Sequence, residues 1–143
     1  MISILISSES RYPISRPKIK VKVEEVLKRQ KVNDVEISVL IVGERKTRQL
    51  NKQFRQIDEP TDVLSFPLEE PRDERGILRL GDIVVSYPHA QRYAREENRL
   101  VDEVIFELVE HGLMHLLGFT HKEGLNFNGN FSLKHAQIAN LKV

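Results

Sequence analysis

The spacing of apolar residues along this chain alternates between a period of two and a period near 3.6, and each change marks a new element. Residues 2–7, ISILIS, form a short β-branched run that predicts a strand. Pro13 and Pro17 interrupt the chain before a predicted helix over 18–31, KIKVKVEEVLKRQK, where Ile19, Val23, Val26 and Leu27 fall on one face. The alternating IKVKV at its start fits a strand equally well, which leaves the helix boundary open. After Asn33-Asp34, the run VEISVLIV at 35–42 predicts a second strand. Residues 44–55 then read as a helix, with Leu50 and Phe54 four apart on its inner side. DVLSFP at 62–67 predicts a short strand, a charged loop runs to Gly76, and LGDIVVS at 80–86 predicts another strand. Pro88 opens a helix to about 97, and a last helix spans about 100–117. In that helix Val101, Val104, Ile105, Leu108 and Leu116 trace the buried stripe.

The order β-α-β-α-β-β-α-α, with two closely linked late strands, implies a hairpin inside an otherwise crossover-built sheet. The expected fold class is therefore α+β: a single compact domain with a mixed β-sheet packed by helices. The long helix of the C-terminal half carries two histidines considered below. A length of 143 residues suits one such domain. The last stretch, 122–143, pairs a turn-rich GLNFNGN segment with a weak helical pattern and is expected to be a loosely ordered tail on a domain spanning 1–121.

Composition narrows the setting. Hydrophobic residues at 40% and charged residues at 30% describe an ordinary globular protein. The absence of cysteine removes disulfides and thiolate metal ligands together, and fits a reducing, cytoplasmic compartment. No run approaches the roughly 18 apolar residues of a membrane span. The opening MISILISSES has no basic leader before its short apolar run, so no signal peptide is expected. Charge is unevenly placed: residues 1–55 carry 13 Lys and Arg against 6 Asp and Glu, and residues 56–143 carry 9 against 15. A basic half suits a polyanion partner. A solvated helical surface explains it too, so the asymmetry points to RNA only in company with other features.

The sharpest chemistry lies in HGLMHLLGFTH, where His111, His115 and His121 stand at offsets of zero, four and ten. The first two share a helical face one turn apart. Gly118 can end the helix and turn the chain so that the third histidine approaches them. Three imidazoles with a fourth position open are a common catalytic zinc arrangement. Paired histidines on an apolar helix are also often packing residues; the third at the matching offset favours the metal. Zinc proteases of the HExxHxxGxxH type share the spacing, but their glutamate base is Gly112 here. Glycine inside a helix costs about 1 kcal/mol relative to alanine, so Gly112 signals close approach, either at the site or in helix–helix packing.

A second strip, Leu50-Asn51 through Pro67, places Arg55 near a helix end, where a guanidinium can engage a phosphate in bidentate fashion. Asp58, Thr61 and Asp62 crowd the turn that follows, residues that also make ordinary turns and caps.

Taken together, Leu50-Asn51 through Arg55, Asp58-Glu59-Pro60-Thr61-Asp62-Val63-Leu64-Ser65-Phe66-Pro67, Leu80-Gly81-Asp82-Ile83 and the histidine string resemble the YbeY family over about residues 35–121. The resemblance implies a compact α+β domain with a mixed sheet. It also implies a metal-dependent endoribonuclease acting on single-stranded RNA in ribosomal RNA maturation and ribosome quality control. The family's zinc ligands map onto His111, His115 and His121, with one Zn²⁺ per chain, and its functional arginine maps onto Arg55. Ribosomal RNA and ribosomal subunits are the implied partners, with neither membrane nor DNA expected. Two departures stand out: Thr120 replaces the aspartate usual before the third histidine, and the Asn/Gly-rich tail replaces an acidic helix.

For a nuclease of this kind, His111 and Arg55 are the expected catalytic residues. The metal would lower the pKa of bound water or act as a Lewis acid on a phosphate oxygen. Arg55 would stabilise charge on the phosphorus oxygens. No general base stands out. Glu107, one turn before His111, is either a supporting partner of that histidine or a solvated helix residue. Glu110 should face elsewhere, and Asp82 and Ser65 are candidates to line the groove. The alternative is a non-catalytic ribosome-assembly factor binding rRNA with a structural metal, for which His135 would be the extra ligand. A peptidase ranks third because the glutamate base is missing.

Overall fold

Ser15 decides the ambiguity at IKVKV. Its hydroxyl accepts from the Lys18 N–H at 3.4 Å and Pro17 sits in the first turn, so the segment is capped as a helix. The helix starts two residues earlier than the apolar pattern indicates. The structure is a computed structural model that describes residues 1–68 and 70–118. Its elements are β1 (Ile2–Ser8), α1 (Arg16–Arg29), β2 (Val35–Val42), α2 (Glu44–Arg55), β3 (Val63–Pro67), β4 (Leu78–Ser86), α3 (Tyr87–Glu97) and α4 (Val101–Leu116). The expected element order holds throughout.

One sheet of four strands runs in the order β1-β2-β4-β3. β1 and β4 lie parallel to β2, while β3 returns antiparallel beside β4 as the expected hairpin. The sheet is mixed, and the domain is α+β. β4 begins at Leu78 rather than at 80, because the strand carries a bulge: Arg79 pairs with Glu36 and Gly81 with Ile37, leaving Leu80 extra. Gly81 adopts φ +143°, and a side chain there would run into the Phe66 carbonyl, so the bulge requires glycine.

The two sheet faces support separate cores. On one face Ile4, Val35, Ile37, Val39, Ile41, Val63, Ile83 and Val85 meet the buried sides of α1, α3 and α4. On the other, Leu64, Phe66, Val42 and Val84 meet Leu50 and Phe54 of α2. The α1 stripe is as the periodicity indicates: Ile19, Val23, Val26 and Leu27 are its buried residues. The α4 stripe is shifted. Val101 and Leu116 are only partly buried, while Val109 and Leu113 are fully covered, because helices pack on α4 from one side and the sheet from another.

Candidate active site around strand β3

α4 presents His111 and His115 one turn apart. His115 is buried, with 6% of its surface exposed, and His111 is half-buried. Between them, Gly112 fits α4 closely to the sheet: a Cβ there would lie 2.9 Å from Ile83 Cγ2 and 3.2 Å from Ile83 Cγ1. The close approach is therefore of helix to sheet, not of helix to helix. Ile83 pairs with Ser65 across the β3–β4 ladder, and Ser65 shares the α4-facing side of β3 with Val63. The Ser65 hydroxyl is fully buried and finds no hydrogen-bond partner among the described residues. A buried, unsatisfied hydroxyl is costly and calls for an explanation.

His121 lies outside the described residues, as do His135 and Thr120. Among the described residues no third His, Asp or Glu joins His111 and His115. The donor chemistry present still fits zinc, which favours imidazole nitrogen. Two imidazoles a turn apart on a helix held against the sheet are of the donor type that a zinc site would need, and His121 is the residue expected to complete it.

Arg55 closes α2 on the opposite face. Its Nη1 donates to Asn51 Oδ1 at 3.3 Å, and partial burial pulls its pKa below the usual arginine range. Asn51 is itself buried, and its Nδ2 donates to the Glu59 carbonyl at 2.9 Å. One turn earlier, Thr47 Oγ1 accepts from the Thr61 N–H at 3.4 Å. The turn before β3 is thus laid along α2 by two buried polar side chains, and the same Asn51 orients the arginine. Sequence reasoning assigned Asn51 no role. Its inward position beside Leu50 and Phe54, where an apolar residue is the norm, is the signal that marks it.

β3 is an edge strand with α4 on one face and α2 on the other. The histidine pair and Arg55 therefore flank the same strand from opposite sides.

The turn residues divide by role. Asp58 is exposed and pairs with Arg48 at 2.8 Å. Asp62 is buried and accepts from Tyr93 Oη at 3.2 Å, while its carbonyl accepts from the Ser86 N–H at 2.8 Å. Burial and the Asp62 charge push the Tyr93 hydroxyl up to about 12. Beside it, Ser86 Oγ lies 2.8 Å from His89 Nδ1, and burial, helped by Arg92, lowers the His89 pKa. This buried polar cluster escaped the sequence reading. Ser86 as the cap of α3, three residues before a histidine, was the available clue.

Other candidates separate from the site. Asp82 lines a small pocket of about 130 Å³ with Glu36, Ser38 and Arg79 on the sheet face away from α4. It does not line a groove with the histidines, because alternation puts it opposite its neighbour Ile83. Glu107 accepts from Arg99 at 2.7 Å on the surface, and Glu110 lies 3.5 Å from Arg29.

The protein-family model described as "Endoribonuclease YbeY" matches residues 5–140. The chain belongs to the YbeY family. An Aquifex aeolicus protein named Endoribonuclease YbeY is 40% identical over 121 residues, covering 85% of this chain and 79% of that protein. The Persephonella marina protein of the same name is 37% identical, over 85% of this chain and 80% of its own. The solution structure of TM1509 from Thermotoga maritima superposes with a TM-score of 0.57 at 32% identity, covering 96% of this chain and 85% of that one. In this YbeY-family chain the motif strips fall where the two helices meet β3, and the bulge at Gly81 sets the register that brings Ile83 under Gly112.

Proposed function

We propose that this chain is a single-strand-specific, zinc-dependent endoribonuclease that matures and quality-controls ribosomal RNA, acting in the cytoplasm on ribosomal subunits. The family match together with the α4 histidine pair carries the reading. His111, His115 and His121 would hold the ion, which when bound supplies positive charge and Lewis acidity at a phosphodiester. Arg55, held by Asn51, would lend its guanidinium to the charge that builds on the phosphorus oxygens. Desolvation strengthens that interaction, because partial burial lowers the dielectric around it. The close fit of α4 against Ile83 that glycine at 112 allows would hold the first two imidazoles in register. Among the described residues no helix is long and apolar enough to cross a membrane.

The test is cleavage of a single-stranded rRNA fragment by metal-quantified wild type and by His111→Ala. Cleavage that follows metal content and vanishes in the variant supports the nuclease. Equal cleavage by both identifies a contaminating ribonuclease. A fully metallated wild type that binds the fragment without cutting it favours the assembly-factor reading.

A further inference from the structure

α2 has a second side that the site described above does not use. Thr47, Leu50, Asn51 and Phe54 face inward. Opposite them, Arg45, Arg48, Gln49 and Lys52 are exposed and, with Asp58, line a shallow open basin of about 400 Å³. Their spacing of i, i+3, i+4 and i+7 makes one strip along the helix axis. Lys52 leads on to Arg55 after three more residues, so from Arg45 to Arg55 the strip extends about 15 Å at 1.5 Å per residue.

This strip is electrostatically unfavourable for the helix alone. Arg45 and Arg48, then Arg48 and Lys52, are like charges one turn apart. Arg45 also sits in the first turn, against the positive end of the helix dipole. Asp58 is shared, 2.8 Å from Arg48 Nε and 4.0 Å from Lys52 Nζ, so one carboxylate serves two of the strip's three cations. Glu44 does not help, since it turns toward Arg92 and His89 on α3. At the start of α4 the balance is reversed: Arg99 gathers Glu97, Glu103 and Glu107. α2 carries five Lys and Arg against Glu44 alone, an excess that α1 matches with six against two, but only the α2 strip leads to Arg55.

We propose that Arg45, Arg48 and Lys52 form a docking track for the sugar–phosphate backbone of single-stranded RNA, leading the strand to Arg55. The track rests on the ribonuclease reading for its partner. Its charges fit phosphates, Gln49 between them can donate its amide N–H to a ribose oxygen, and a single helix edge suits a flexible strand that can follow it.

The experiment measures anisotropy of a labelled, 2′-O-methylated oligouridine, which resists cleavage, against the full-length metal-loaded chain across a salt series. Arg45→Gln/Arg48→Gln/Lys52→Gln should bind about tenfold to a hundredfold more weakly near 0.1 M salt. Its salt slope should be shallower by about 2, since each phosphate contact contributes about 0.7 on a single strand. Asp58→Asn, which removes the competing carboxylate, should bind several-fold more tightly. An unchanged slope in the triple variant, weaker binding by Asp58→Asn, or no binding by wild type overturns the track. Polyglutamate of equal charge binding as tightly as RNA, and losing its binding in the triple variant, assigns the face to an acidic protein segment instead. Cleavage of unmodified RNA is scored separately: binding through the strip without cutting leaves the track standing and removes the nuclease.

Discussion

Adding one methyl group at Gly112 should change sign in its effect on stability according to the residue beneath it. In the wild type a Cβ at 112 would meet Ile83 Cγ2 at 2.9 Å, Cγ1 at 3.2 Å and Cδ1 at 3.3 Å. Ile83 is fully buried on a central strand, and a β-branched side chain has little freedom to turn aside. Overpacking of this kind costs about 1–3 kcal/mol. Replacing a helical glycine by alanine returns about 1 kcal/mol of helix propensity. The net expectation for Gly112→Ala is a loss of about 1 kcal/mol, seen as a lower urea midpoint with an unchanged slope. Ile83→Ala alone should cost about 2–5 kcal/mol as a cavity opens. In that background the three clashing carbons are gone, so Gly112→Ala should stabilise by about 1 kcal/mol. Urea unfolding of the four proteins in the cycle gives the coupling directly. The same sign for Gly112→Ala in both backgrounds would refute the view that contact with Ile83 is what requires glycine there. Under the proposed zinc reading, affinity for the ion offers a second readout, because any outward shift of α4 moves His111 and His115 together.

Arg55→Ala should lower RNA cleavage about a hundredfold or more while leaving thermal unfolding nearly unchanged; wild-type cleavage by the variant would remove Arg55 from the chemistry. Asn51→Ala should destabilise by about 0.5–1.5 kcal/mol, because it removes the buried amide that donates to the Glu59 carbonyl, and should also weaken cleavage by freeing Arg55; a denaturation midpoint equal to wild type would count against that anchoring. His89 has a folded pKa below its ordinary 6.5, so the unfolded chain binds the proton more readily. Its contribution to stability is present above pH 6.5 and is lost as pH falls through the folded value. His89→Gln should flatten the pH dependence of the urea midpoint below 6.5, and an identical profile in both proteins would contradict this.

Local pattern was enough for most of the fold. β2 and α2 begin and end where alternation and helical spacing place them, because each has one dry face and one wet face written at its own period. The hairpin of β3 and β4, and hence the mixed sheet, followed from the short link between two strands. The histidine spacing was equally local: four residues on a helix fix a shared face whatever lies around it. The start of α1 was not legible from apolar positions, since IKVKV satisfies both periods and the Ser15 cap decides between them.

What tertiary structure alone decided concerns which face and which neighbour. Asp82 and Ser65 are both near β-strand motifs in the sequence, yet a bulge and strict alternation send one away from α4 and bury the other beneath it. Asn51 gains its role only when the turn at 59–61 folds back along α2. Gly112 looks like a weak point in a helix until Ile83, 29 residues earlier, is found against it. The sequence by itself determined the elements and the chemistry they carry, because periodicity and motif spacing are local. Whether Arg55 and the histidines serve one strand depended on the sheet order, in which β3 is left at the edge with a helix on either side. That order is set by long-range pairing, whose energy resides in contacts between residues the chain keeps far apart.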